Sequence, residues 1–149
     1  LSTSGRADTQ ERKKQREALI QLSKIGKFKG VTPRLLPHLL SPKALKNETL
    51  VQEVMDMAAE IGQVNFTLQQ EAIINRPDFR PFAASANMPV EILCGDQDQL
   101  TPPSLSKELD SLFYDSKLTL LPGIGHLSSM EAPDEVTHIL RRLVTRVTL

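Results

Sequence analysis

The sequence is poor in cysteine. Cys94 is the only one, so no disulfide can form within the chain. A reducing, cytoplasmic setting fits that scarcity. Neither sign of charge is in excess: 18 Lys and Arg balance 18 Asp and Glu. This removes the electrostatic motive for a nucleic acid or an anionic membrane as partner. No apolar run approaches the roughly 20 residues that would cross a bilayer, and no signal peptide is discernible. Three histidines, His38, His126 and His138, lie far apart from one another and from Cys94. None has ligand spacing, so no metal site is expected. The Gly123-x-Gly125 pair lacks the third glycine of a dinucleotide fingerprint, and no phosphate loop occurs, so no cofactor is expected either. Internal repeats and low-complexity segments are absent.

What is present is ordinary for a globular domain. The chain has 149 residues, 40% hydrophobic and 24% charged. A chain of this length buries roughly 70% of its unfolded surface. Residue 1 is Leu rather than Met, and Leu1 to Gly5 reads as the end of a strand running into a loop.

Two zones follow. The first, from about Ala7 to Asn75, is helical. Thr9 to Ile25 opens charged and ends apolar, and Gly26 offers the left-handed closing conformation of a helix. A short helix is predicted near Pro33 to Leu40. Leu50, Val51, Val54, Met57, Ala58 and Ile61 fall at helical spacing before Gly62. A further helix is predicted from Thr67, as its cap, to Asn75, after which Pro77 and Pro81 predict extended or turn backbone. The basic cluster from Arg12 to Arg16 is flanked by Glu11 and Glu17 and has no interleaved aromatics, so it reads as a solvated helix face. Met55, Met57, Phe66 and Ile73 suit either an apolar pocket or the core of this zone, the core being the safer reading.

The second zone alternates strand and helix. Val90 to Cys94 is a short, mostly apolar run ending at Gly95, as in a strand buried on both faces of a parallel sheet. Thr101-Pro102-Pro103 can cap and open a helix whose inner stripe is Leu105, Leu109, Leu112 and Phe113. Lys117 to Leu121 predicts a second strand. Pro133, followed by Asp134 and Glu135, opens the last helix, with Val136, Ile139, Leu140, Leu143, Val144 and Val147 as its apolar stripe. The fold class is therefore α/β with a parallel sheet.

Both strands run into loops at their carboxyl ends, where ligands bind in open α/β sheets. The first loop carries Asp96 and Asp98, the second His126. Side by side, they would let a carboxylate meet an imidazole. A serine hydroxyl needs such a base to lose its proton, and the base needs a carboxylate to hold its tautomer. Gly123 and Gly125 would supply the backbone freedom to aim the histidine. On residues alone, Asp96 and Asp98 both remain candidates for a simple turn role. Cys94, inside a strand, reads as an inert buried thiol. His38 and His138 read as bystanders.

Pro89-Val90-Glu91-Ile92-Leu93-Cys94-Gly95-Asp96-Gln97-Asp98, continuing to Thr101-Pro102, resembles the acid strand and loop of the α/β-hydrolase family, P-x-x-x-x-x-G-x-x-D-x-x-x-P. Gly125-His126-Leu127, followed by Met130-Glu131-Ala132-Pro133, resembles that family's histidine loop and the start of its last helix. The acid-then-histidine order agrees too. The resemblance implies the C-terminal portion of such a fold, with residues 1–6 ending a core strand, 7–86 forming a helical cap and 87–149 the strand-helix-strand-helix core segment. It implies Asp98 as triad acid, His126 as base and a small acyl substrate.

The family's nucleophile elbow, G-x-S-x-G, occurs nowhere in these residues. In the family it lies upstream of this portion, so the chain alone is expected to hydrolyse nothing. The missing strands imply self-association or pairing with an N-terminal half. The same triad runs C–C bond hydrolysis, thioester hydrolysis and perhydrolysis as well. The reading from a different class is a non-catalytic binding or assembly module of the same fold.

Overall fold

The computed structural model describes residues 1–25, 28 and 30–147. Gly26, the expected end of the first helix, lies outside the described residues. Helix α1 (Gln10–Ser23) is capped by the Thr9 side chain, which accepts from the Arg12 amide. Arg16 is less solvated than its cluster implied. It pairs with Asp8 and donates to Gln70 Oε1 at 2.9 Å, tying α1 to the third helix.

Helix α2 (Leu36–Leu39) and a 3-10 turn at Ala44–Lys46 precede α3 (Glu48–Ile74), whose cap is Asn47. The two helices predicted on either side of Gly62 form one kinked helix. Gly62 has φ 72 and ψ 169, and the helix resumes at once. Thr67 is therefore interior to α3 and caps nothing. A glycine passes through such angles without a loop, so the periodicity alone could not separate a break from a kink. Leu36, Leu40, Leu50 and Val54 form the core of this helical zone. Among the four ambiguous residues, Met55 packs against that core, while Phe66 tilts against Phe28 at 5.3 Å between ring centroids.

Helix α4 (Arg80–Ser85) stands where Pro81 predicts extended or turn backbone, because Pro81 sits in the first turn of the helix, where a missing amide costs no helical bond. The Phe79 amide donates to the Gly5 carbonyl at 2.7 Å, so the two ends of the helical zone meet. Arg6, Arg80, Asp78 and Glu108 form an ion-pair group there.

Strand β1 (Val90–Gly95) pairs in parallel with β2 (Ser116–Leu121), from Val90 opposite Ser116 to Gly95 opposite Leu121. Helix α5 (Pro103–Leu112) joins them, and α6 (Ser128–Glu131) and α7 (Pro133–Val147) follow. Leu93 and Leu121 pack on Ala132, Val136 and Ile139. Ile92, on the alternate face, shares a groove with Leu109 and Phe113. The sheet is thus covered on both sides, which explains why β1 lacks polar alternation. Along β1's other edge the Ser2 amide donates to the Leu93 carbonyl at 2.8 Å. Glu91 is held by Arg142 and Arg146, and Arg146 also reaches Asp115, so α7 is tied to the start of both strands.

The apolar stripe of α7 is wider than this two-stranded sheet covers. Val136 and Ile139 are buried, whereas Leu140, Val144 and Val147 are 50%, 64% and 65% exposed.

Candidate active site

The register of β1 and β2 brings their two C-terminal loops together. The Asp96 amide donates to the Leu121 carbonyl and the Gln97 amide to the Ile124 carbonyl, each at 3.0 Å. The Asp96 carboxylate accepts from the Gly123 amide at 2.7 Å. Asp96 therefore clips the loops to each other and stays exposed.

Asp98 is turned inward and its side chain is fully buried. Its Oδ1 accepts from the Leu100 and Thr101 amides at 2.9 and 2.8 Å. Its Oδ2 accepts from the Thr101 hydroxyl and from His126 Nδ1, both at 2.9 Å. Burial alone pushes this carboxyl up, but the Thr101 amide, His126 and the Thr101 hydroxyl together bring it below its ordinary value. Asp98 is thus an ionised acceptor with both oxygens occupied. With Nδ1 of His126 engaged, Nε2 is the ring nitrogen free to take a proton.

Thr101 does not cap α5 as its position suggested. The helix begins at Pro103 with no side-chain cap, and the hydroxyl serves Asp98 instead. Its oxygen also lies 3.3 Å from His126 Nδ1. Only the turn around it was legible: an aspartate side chain recurrently accepts from backbone amides just after it, as Asp98 does here.

The glycines act in different ways. Gly123 has φ 72 with open space where a Cβ would stand. Gly125 is needed for closeness: a Cβ there would meet the Ser41 nitrogen at 2.6 Å and Glu131 Oε1 at 2.8 Å. Gly95 is tighter still, with the Ile124 carbonyl oxygen 2.1 Å from where its Cβ would be.

Leu127, the residue after His126, lines an open apolar pocket of about 530 Å³ together with Val31, Leu39, Val54, Met57 and Ile61, with Glu60 and Asn65 as its polar residues. Met57 is the one of the four ambiguous residues that lines it. Cys94 is buried, which raises its thiol, and its sulfur lies 3.8 Å from Asp98 Oδ2. His38, on α2, and His138, on α7, are exposed. Among the described residues no group of three or more His, Cys, Asp or Glu could hold a metal ion. No helix among them is long and apolar enough to cross a membrane.

No family model matches the chain. Over 76 residues, 51% of the chain, it is 30% identical to RutD of Escherichia coli K12, a protein described provisionally as a carbamate hydrolase. That stretch spans 29% of RutD's length. An esterase from Thermogutta terrifontis superposes with a TM-score of 0.90 at 21% identity, over 97% of this chain and 53% of that one. The enol-lactonase of Burkholderia xenovorans superposes at 0.81 and 20% identity, over 97% and 54%. This chain has the α/β-hydrolase fold, in the form of its C-terminal portion. It spans about half the length of the solved structures it superposes on.

Proposed function

We propose that this chain supplies the acid and base of a serine hydrolase that cleaves a carboxylic ester or a related acyl substrate. The observation that carries the reading is the 2.9 Å contact between His126 Nδ1 and a fully buried, doubly occupied Asp98 carboxylate. In the proposed reaction His126 Nε2 takes the proton of the attacking serine and returns it to the leaving group. Asp98 stays ionised throughout and stabilises the imidazolium. The esterase, the enol-lactonase and RutD share, by their names, cleavage at an acyl carbonyl. The lining of the adjacent pocket favours a substrate with an apolar group on one side of that carbonyl.

The serine would stand in a G-x-S-x-G elbow, which these residues do not contain. The test compares this chain with a version extended upstream, using a p-nitrophenyl ester and a fluorophosphonate probe. The short chain is expected to show neither turnover nor labelling, and the extended protein both. Turnover by the short chain overturns the assignment of the nucleophile. An extended protein that neither labels nor turns over favours a non-catalytic module.

The same reading divides the chain into residues 1–6 as a core strand end, 7–86 as cap and 87–149 as core segment. The Ser2–Leu93 hydrogen bond supports the first of these. The exposed stripe on α7 supports self-association or pairing with an N-terminal half. Sedimentation of this chain is expected to show an associated species; a clean monomer contradicts the pairing.

A further inference from the structure

Glu131 belongs to neither strand-end loop, yet its carboxylate is joined to the histidine loop. It sits on α6, half-buried. Its Oε1 accepts from the Gly125 amide and its Oε2 from the Ser41 amide, each at 3.1 Å. Ser41 follows α2 and is separated from Glu131 by 90 residues. The same strap reaches the histidine loop a second time, because the Leu39 carbonyl accepts from the His126 and Leu127 amides at 3.0 and 3.1 Å. Leu127 and Met130, which precede Glu131, pack against the core of the helical zone.

Two backbone N–H groups thus face one carboxylate from opposite segments that nearly touch. Both dipoles present their positive ends to it, so a negatively charged acceptor with two free oxygens suits the place and a neutral amide does not. Gly125 is the residue immediately before His126, and its close approach to Ser41 leaves little room for the loop to settle elsewhere.

We propose that Glu131 is a positioning residue: it clamps the Gly125 and Ser41 amides and so fixes the backbone from which His126 reaches Asp98. This rests on the reading of His126 as the base. Glu131→Gln keeps the side chain's size but turns an NH2 group toward one of the two N–H donors. Glu131→Asp keeps the charge but shortens the reach by one methylene.

The experiment is proton NMR of this chain, following the low-field Nδ1–H resonance of His126 that marks its hydrogen bond to a carboxylate. The parent chain is expected to show it and Asp98→Asn to abolish it. Glu131→Gln and Glu131→Asp, folded by circular dichroism, are expected to lose or broaden it. Glu91→Gln, which weakens the ion pairs of α7 away from the site, is expected to leave it in place. If the parent shows no such resonance, the triad reading falls and the inference with it. If Asp98→Asn abolishes it while a folded Glu131 variant keeps it, the inference alone is overturned. Loss of folding in both Glu131 variants makes the residue structural and also overturns it.

Discussion

Replacing Gly95 by alanine is expected to destabilise this chain by about 3 kcal/mol, lowering its melting temperature on the order of 10 °C. The reason is the crossing of two backbones. A methyl group at residue 95 would stand 2.1 Å from the Ile124 carbonyl oxygen and 2.4 Å from that of Gly125. Neither atom belongs to a flexible side chain that can swing away. The histidine loop would have to lift, breaking the Gln97–Ile124 hydrogen bond on the way. Gly123→Ala is the control. Its Cβ would meet nothing within 4 Å, so only the cost of a positive φ remains, about 1 kcal/mol. Thermal melts of the two variants, followed by circular dichroism, check the difference. Equal losses would mean that the loops are not held as close as the structure has them.

Replacing Asp98 by asparagine is expected to reduce kcat of the upstream-extended protein by roughly ten-thousand-fold, the size of the same change in a protease triad. Asparagine keeps the volume but has one acceptor oxygen for four N–H and O–H donors. If that oxygen serves the Leu100 and Thr101 amides, the amide NH2 faces His126 Nδ1 and imposes the wrong tautomer. The measurement is ester turnover at saturating substrate beside wild type. A loss below tenfold would remove Asp98 from the proposed mechanism.

The same change has a signature in stability against pH. Asp98 titrates below its ordinary value in the folded chain, while the unfolded value is about 3.9. Its contribution is therefore complete above the unfolded value and is lost as pH falls through the folded one. Asp98→Asn is expected to flatten the acid limb of unfolding free energy below about pH 4. Thr101→Val, which removes one of the four donors, is expected to shift that limb in the same direction by less. An acid limb unchanged in Asp98→Asn would contradict the folded-state value.

Much of this site could be read along the chain. Asp98 and His126 each follow an apolar run closed by glycine or by proline and glycine, and each run became a strand within a residue of its expected bounds. Pro133 with two acids after it opened the last helix as expected. These signals are local, since period, caps and breakers act over a few residues. The family resemblance added the choice of Asp98 over Asp96, and the parallel register of β1 and β2 brought Asp98 and His126 to 2.9 Å.

Other features could not be read that way. Gly62 has the same sequence signature whether it ends a helix or kinks one. The hydroxyl of Thr101 had two local uses, capping α5 or holding Asp98, and the burial of Asp98 decided between them. Gly95 closes a strand in any reading, but only the passage of Ile124 above it forbids a side chain. The composition of the last helix marks an apolar stripe without saying how much of it the sheet covers.

The sequence by itself determined the two strand-loop-helix units and the residues their loops display, because those follow from neighbours within one turn or one strand. Only the tertiary structure decided that Glu131 holds Ser41 and Gly125 together, or that Leu39 and Leu127 share a pocket. Contacts between segments up to 90 residues apart depend on how close two backbones come, and no local pattern encodes that distance.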